Sequence, residues 1–480
     1  MKSKGDEGLS VKKSENFSEW YTQVITKSKF VDYTDISGCI VFREDCYSIW
    51  ENIQRIVDIK LKKLGIKNVY FPLLIPENFL KKEAEHVEGF SPEVAWVTHT
   101  GNSKLKERLA IRPTSETIMY PSYAKWIRSW KDLPLRLNQW NNVVRWEFKN
   151  PVPLLRTREF LWNEGHTVFA TRKEAEKEMK DIISLWEDFS KEYLALPSLV
   201  GQKTDKEKFA GAEYTWSTEF ILPNGRAIQG PDSHFDGKKF AKAFDISFLD
   251  KNENKQYPFQ NTWAISSRMI GVMLAIHGDD NGLVLPPKIV SNKVVVVPII
   301  FKKDKDKVLK FAKDVKKKLS KSGVIFDDRE GYSAGWKFNE WELKGIPIRI
   351  EVGPKDVAKK QVVLVRRDTG KKEIIKIGGL VKKVDSTLED IQNNLYKNAK
   401  KFMNSKIVDV KTFSEFKKAI KDKKIVKTFW CGCSKCEDMI KDSSNGAKSL
   451  NIPFDQPKKK GKCVYCGKEG KHLIFFGKSY

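Results

Sequence analysis

The chain has 480 residues, 40% of them hydrophobic, with 88 lysines and arginines against 62 acidic residues and a net charge of +26. That length exceeds one domain and points to roughly three. The positive excess attracts polyanions and gives a salt-dependent affinity for nucleic acid, although a lysine-rich composition alone produces the same excess. No apolar run reaches membrane-spanning length, and the polar start MKSKGDEGLSVKKSENF lacks the apolar stretch of a secretory leader. The expected setting is therefore cytoplasmic, without a membrane. Seven cysteines are too few and too unevenly placed for a disulfide scaffold.

In chain order, residues 1–16 read as a mobile tail. From Asp45 to Leu64, the positions Ile49, Ile53, Ile56, Val57, Ile59, Leu61 and Leu64 recur at helical spacing, and Gly65 marks the stop. VYFPLLIP at 69–76 reads as a buried extended segment ended by Pro76. The stretch from Arg145 to His166 then sets Arg145, Glu147, Arg156, Arg158, Glu159 and Glu164 among strand-forming residues. Guanidinium forks bind phosphate and carboxylate in pairs, so a row of them on a strand–loop–strand makes a nucleotide-triphosphate cradle. An isolated run of this kind would equally read as a solvated hairpin. Glu174–Leu196 is an amphipathic helix with Met179, Ile182, Ile183, Trp186 and Phe189 on one face. A helix after Trp263 would start at Arg268 and bury Ile270, Met273, Leu274 and Ile276.

Val284–Pro287 closes this first unit. A buried strand at Lys293–Phe301 follows, then a helix over Asp306–Leu319 and strands at Val324–Phe326, Ile346–Val352 and Gln361–Arg366. Strands alternating with helices make an α/β module of about a hundred residues. Beyond residue 400 a smaller unit carries Cys431, Cys433, Cys436, Cys463 and Cys466. Cys463-x2-Cys466 has zinc-knuckle spacing and Cys431-x4-Cys436 is a looser pair, with Cys433-x2-Cys436 an alternative. Four thiolates would bind Zn²⁺ tetrahedrally with no open position, which makes the metal structural.

Several blocks, in this order, resemble the archaeal/eukaryotic-type prolyl-tRNA synthetases of class II: RPTSET at 112–117, RWEF and RTREFLWNEGH up to His166, QGPDSH at 229–234, GVMLAIHGDDNGLVLPP at 271–287, KGIPIRIEVGPKD at 344–356, the cysteines and the final GKSY. The resemblance runs from about Ser14 to Tyr480. It implies an α/β (α+β) protein with an antiparallel-sheet catalytic domain at 17–288, an α/β anticodon-binding domain at 289–400 and a small zinc-binding α/β domain at 401–480. It further implies activation of L-proline by ATP to prolyl-adenylate, transfer to the 3′ end of tRNA(Pro), and a homodimer formed through the helix–strand–proline segment that ends at Pro76. ATP, Mg²⁺ and structural Zn²⁺ come with it. The span between the second and third class motifs is too short for a large editing insert, so no cis-editing domain is expected.

Activation brings a carboxylate onto the α-phosphorus of ATP. Two anions must meet, so fixed positive charge and Mg²⁺ matter more than a general base. The resemblance gives Arg145 the α-phosphate and the proline carboxylate, and pairs it with Arg268 as catalytic. Glu147 falls on the adenine side, on the same face as Arg145 if the segment is a strand. Arg156 and Thr157 belong to the phosphate-reaching loop, and Phe160 offers adenine a flat face. Gln229 and Ser266 lie near the nucleotide, and Arg268 covers the other adenine face. For proline, Thr114 and Glu116 meet the ring N–H groups, Trp162 forms a wall and His234 lines the pocket. Rejection of alanine or cysteine should be modest, about 1–3 kcal/mol.

One block departs from the family: Asp232 stands where a Thr is usual and Pro231 where a small residue is usual, so the Thr's role is not carried over to Asp232. Proline anticodons share two adjacent guanines, and Glu340, Glu342, Arg349 and Lys355 fall in the block that resembles the anticodon-contacting region. The terminal Tyr480 resembles a buried tyrosine whose carboxylate points toward the active site. Two other readings are another amino-acid-activating enzyme on this scaffold, with a different acceptor, and a non-catalytic RNA-binding protein. Intact Arg145, Glu147, Arg156 and Arg268 argue against lost chemistry.

Overall fold

The computed structural model describes residues 8–86, 93–147, 149–459 and 461–480. Its largest element is an eight-stranded sheet with the order Ile452–Pro453, Leu199–Gln202, Tyr214–Ile221, Ala227–Gly237, Phe259–Ser266, Glu159–Phe169, Leu135–Val144 and Lys67–Asn68. Neighbours are antiparallel except for the last pair, Lys67–Asn68 with Leu135–Val144. The helix Arg172–Glu192 covers one face. Its N-terminus is closed by a reciprocal cap between Thr171 and Glu174, and Met179, Ile182, Trp186 and Phe189 are buried as the helical spacing predicts.

Strand alternation divides the central strands into two faces. Along Glu159–Phe169, Thr167 bonds Glu178 of the helix and Phe169 packs with Ala175, while Phe160, Trp162, Glu164 and His166 face the other way. Phe259–Ser266 repeats the division. Trp263 meets Trp186, and the Asn261 amide donates to the Ala175 carbonyl at 2.8 Å, opposite the cavity-lining Thr262, Ala264 and Ser266. The helix face is therefore apolar and braced, and the opposite face is left for chemistry.

Two expectations change here. Residues 8–16 do not form a free tail: Lys13 Nζ donates to the carbonyls of Ile276 and Gly278 at 3.0 and 2.6 Å, and the Lys13 amide donates to Asp280. Burial at this dock lowers the Lys13 ammonium to about 8. Residues 1–7 lie outside the described residues. The 69–76 segment is not buried throughout. Phe71 and Ile75 are inside, but Tyr70 is 73% exposed and Leu73 and Leu74 stand at the surface. Only Leu74–Pro76 pairs, with Ser103–Ile111 of a separate three-stranded sheet, so half of its side chains have no layer to enter. The preceding helix, Glu44–Lys63, buries Ile49, Ile53, Ile56, Val57 and Leu61 but exposes Ile59.

The second unit is a five-stranded sheet in the order Val324–Phe326, Val294–Pro298, Ile348–Val352, Gln361–Arg366, Lys372–Lys376. The first three strands are parallel, and the fully buried Val294–Pro298 carries the continuous apolar run such a position demands. The expected division at residue 400 falls inside a single 27-residue helix, Leu380–Lys406, so the third unit begins at Ile407. That unit holds a four-stranded sheet, Ile407–Asp409, Ile425–Trp430, His472–Gly477 and Lys448–Ser449. It also sends Ile452–Pro453 back to the edge of the large sheet. Tyr480 returns as well, its amide donating to the Ala227 carbonyl at 3.0 Å.

Candidate active site

The polar face of the large sheet is hollowed into a cavity of about 490 Å³. Thr114, Glu116, Arg145, Glu147, Phe160, Trp162, Gln229, His234, Ser266 and Arg268 all line it, as does Asp232. These residues run from Thr114 to Arg268, and the sheet order Ala227–Gly237, Phe259–Ser266, Glu159–Phe169 sets those on the strands side by side. Arg156 and Thr157 are not on the wall. Arg156 lies in a tight bridge with Val152, and Thr157 is buried. Arg145 and Glu147 reach the cavity without the strand expected for them, since Leu135–Val144 ends one residue earlier.

At one end Arg145 is fixed from three sides. Its Nε donates to the Pro113 carbonyl at 2.9 Å, and its guanidinium lies 5.5 Å from the Phe160 ring and 5.2 Å from the Trp162 ring. The two rings meet edge to face at 5.7 Å. Phe160 thus holds a guanidinium as well as offering a flat surface. Arg268, first residue of the helix Arg268–His277, donates from Nε to the Leu155 carbonyl and from Nη1 to the Gln229 carbonyl, both at 3.0 Å. Burial and the neighbouring Arg145 push its guanidinium down to about 10, against the pull of Asp232 and Glu219. It remains a cation at neutral pH, and an incoming anion would relieve the repulsion between the two arginines.

The other end is built on carboxylates. Glu116 opens the helix Glu116–Trp126, where a negative charge meets the helix's positive end, and accepts from the Thr114 hydroxyl. Beneath it Glu164 accepts from the Ser115 amide at 3.0 Å, the Ser115 hydroxyl and Asn141 Nδ2 at 2.6 Å, and it meets His166 Nε2 at 3.1 Å. Burial would raise the Glu164 carboxyl, but His166, Ser115 and Asn141 hold it below its ordinary value. Burial would likewise lower His166, yet Glu164 and Glu116 raise it, so the two form a buried ion pair. Trp162 is locked by its indole bond to Asn141 Oδ1 at 2.6 Å.

Asp232 lies between the two ends. Its Oδ2 accepts from Gln229 Nε2 at 2.7 Å and its Oδ1 is 3.5 Å from His234 Nε2. Burial lowers His234 against the carboxylates of Asp232 and Glu116, favouring the neutral ring. Its Nδ1 meets the Thr215 hydroxyl at 2.8 Å, and its ring packs 4.9 Å from Phe209.

Sequence reasoning missed the wall formed by Glu207, Lys208, Phe209 and Ala210, together with Thr215 and Thr262. A charged loop with one phenylalanine carries no chemical pattern. It also missed Gln139, Asn141 and His166, which brace Glu164 from inside the sheet.

Two further clusters fall outside the cavity. The thiols of Cys431, Cys436, Cys463 and Cys466 lie within 4.8 Å of one another, a set that fits a tetrahedral thiolate metal site, and the exposed Cys433 is not among them. In the second unit a cleft of about 180 Å³ is lined by Trp341, Glu342, Arg349, Arg366, Arg367 and Lys372, among others. Glu342 and Arg349 were expected there, whereas Glu340 is turned into an ion pair with Arg329 and Lys355 lies at the surface outside the lining.

Comparison with known proteins gives the class first. Residues 96–277 match the tRNA synthetase class II core domain (G, H, P, S and T), and residues 293–387 match the anticodon binding domain. Residues 413–480 match the C-terminal domain of prolyl-tRNA synthetase. The chain is 47% identical to Proline–tRNA ligase 2 of Bacillus cereus (strain ATCC 10987 / NRS 248) over 470 residues, covering 98% of each. It is 48% identical to the cytoplasmic proline–tRNA ligase of Arabidopsis thaliana, over 98% of this chain and 91% of that one. The crystal structure of prolyl-tRNA synthetase from Cryptosporidium parvum, complexed with halofuginone and AMPPNP, superposes with a TM-score of 0.95 at 45% identity, over 100% of this chain and 99% of that one. The chain belongs to the prolyl-tRNA synthetases and is a proline–tRNA ligase.

Proposed function

We propose that the cavity activates L-proline with ATP to prolyl-adenylate and pyrophosphate and then passes proline to the 3′ end of tRNA(Pro). The observation that carries this reading is the division of one cavity between a paired-arginine end and a carboxylate end. Arg145 and Arg268 supply fixed positive charge where the proline carboxylate meets the α-phosphate, and their bonds to backbone carbonyls hold them in place before substrate arrives. Glu116 and Thr114 receive the ring ammonium. Trp162 and the His234–Phe209 pair shape an apolar slot for a side chain without polar atoms. Glu147, Gln229, Ser266 and Phe160 are the nucleotide's neighbours. Arg156 and Thr157, off the wall here, reach the phosphates only if their loop shifts.

Mg²⁺ would enter with the triphosphate and would supply neutralisation of phosphate charge. Zn²⁺ would be held by Cys431, Cys436, Cys463 and Cys466 as a structural ion. In the cleft, Glu342 and Arg349 take the anticodon guanines, with Arg366, Arg367 and Lys372 beside them. A homodimer is supported by the exposed Tyr47, Ile59, Tyr70, Leu73 and Leu74 at and beyond the Glu44–Lys63 helix. Among the described residues no helix is long and apolar enough to cross a membrane, and the reading places the enzyme in the cytoplasm. The span between Phe169 and Phe259 holds the covering helix, three strands of the large sheet, the 204–212 loop, a short helix and a small hairpin, and the reading takes it to carry no cis-editing domain.

The test is ATP–pyrophosphate exchange with each of the twenty amino acids. Exchange dependent on proline, with at most weak alanine or cysteine, supports the reading. Exchange with another amino acid alone overturns the substrate, and none at all points to a scaffold given over to RNA binding.

A further inference from the structure

The pocket wall that the sequence did not reveal, residues 204–212, contains no helix or strand of its own. It leaves the strand Leu199–Gln202, carries Glu207, Lys208, Phe209 and Ala210 along the cavity, and re-enters the sheet at Tyr214. Its internal backbone bonds are few, from Glu207 and Lys208 to the Thr204 carbonyl and from Ala212 to the Phe209 carbonyl. A segment of this kind samples many conformations unless something outside it removes them. Yet Phe209 must sit 4.9 Å from the His234 ring, and its amide donates to the Thr215 hydroxyl that contacts His234 Nδ1.

In the first unit Phe209 stacks 6.2 Å from Phe240 and Lys239 Nζ donates to the Ala212 carbonyl at 3.1 Å, and the root of the loop is held from the third unit. The helix Ser434–Ser443 carries Glu437, which is 4% exposed. Its Oε1 accepts from the Thr204 hydroxyl at 2.9 Å and from the Ser449 hydroxyl, and those two hydroxyls are 3.2 Å apart. All three residues are buried. Two ion pairs flank the cluster, Lys206 with Asp438 and Lys448 with Glu207 at 3.3 Å. Beside it Ile452–Pro453 pairs with Gln202 and Gly201, so closely that a Cβ on Gly201 would lie 2.2 Å from the Ile452 carbonyl oxygen. The Asn451 amide donates to the Leu199 carbonyl at 2.9 Å. The third unit therefore grips the loop at its root, along its first turn and at the strand feeding it.

We propose that Glu437 is a positioning residue for the amino-acid pocket: by holding Thr204, it fixes the 204–212 loop so that Phe209 and Thr215 present His234 to the substrate. Glu437 touches no substrate and acts through the loop. Both hydroxyls, from different units, meet one oxygen of Glu437 while Oε2 is buried without a hydrogen-bond partner, so losing either hydroxyl leaves the carboxylate less satisfied still. The inference rests on the cavity being the proline-activating site.

Thr204→Val removes the hydroxyl at nearly constant shape and leaves the cysteine unit untouched. Glu437→Ala removes the acceptor, and Glu437→Gln keeps an oxygen able to accept both bonds. In proline-dependent exchange, Thr204→Val and Glu437→Ala should raise the KM for proline by about fivefold or more, leave kcat and the KM for ATP within about twofold, and leave bound metal near wild type. Glu437→Gln should stay within about twofold of wild type throughout. Amide exchange over 205–212 should speed up in Thr204→Val without substrate. A proline KM unmoved in both Thr204→Val and Glu437→Ala, or amides in the loop exchanging at the wild-type rate, overturns the proposal. So does an equal loss in kcat and in both KM values, which marks general damage. If the wild type shows no exchange with proline, the functional reading fails, while amide exchange still decides whether Glu437 holds the loop.

Discussion

In the catalytic cavity the ionisable groups are taken inside the sheet. Glu164 and His166, two residues apart on one strand, are nearly inaccessible, and their pair is completed by Ser115 at the head of a helix and by Gln139 and Asn141 on the neighbouring strand. In the cleft of the anticodon unit each arginine also has an acid, Arg349 with Glu351, Arg366 with Asp368 and Asp390, and Arg367 with Asp279 of the first unit, but Asp390 and Asp279 are exposed. The first arrangement stiffens a pocket that must distinguish a small apolar substrate by shape. The second leaves Asp390 and Asp279 open to water, so that an incoming polyanion can displace them from Arg366 and Arg367. Charges of the same kind thus have different energetics, since a buried pair broken on one side leaves an uncompensated ion while an acid already open to solvent falls back on water.

The sharpest break in that comparison is Arg145→Ala. Removing the guanidinium held by Pro113, Phe160 and Trp162 should cut proline-dependent exchange by about a thousandfold, with far-UV circular dichroism unchanged. A variant with near-normal exchange would remove Arg145 from the reaction. Metal removal comes next. Stripping the four-thiol site should abolish amide protection over 413–480 while the Glu159–Phe169 and Phe259–Ser266 strands stay protected; unchanged protection with metal demonstrably gone would count against a structural ion.

At the rim, Glu342→Ala should lower kcat/KM for tRNA by about tenfold, on the scale of one base contact, and leave exchange untouched. A fall in exchange of the same size would place Glu342 in the structure rather than in recognition. The smallest effect is pH dependence. His166 is raised above its ordinary 6.5, so its contribution is complete below that pH and is lost as pH rises through the folded value. Glu164 is lowered, so its contribution is present above 4.5 and is lost as pH falls through the folded value. Tm should therefore decline on going from about pH 6 to 9, and that decline should flatten in His166→Gln. An identical slope in the variant would mean that the pair does not titrate with folding.

Much of the cavity was legible because strand periodicity and residue chemistry coincide. Phe160, Trp162 and Glu164 alternate along one strand, and all three face the cavity. Arg268 stands where the apolar helix begins. The placement of Arg156 and Thr157 was not legible, since a loop's path depends on what it packs against; the same holds for Glu340, which Arg329 draws away from the cleft. The division near residue 400 was missed because the helix through it has a continuous apolar stripe and no breaker.

By itself the sequence determined the class of chemistry, through motifs that resemble a known family, and a cluster of C-terminal cysteines in which Cys433 stayed an alternative; the structure then left Cys433 out of the set. Tertiary structure alone decided that residues 8–16 are docked, that half of the 69–76 segment is exposed, and that the third unit adds a strand to the first and holds its pocket loop. These are contacts between segments hundreds of residues apart. Their free energy depends on which surfaces meet, and no local pattern along the chain encodes that.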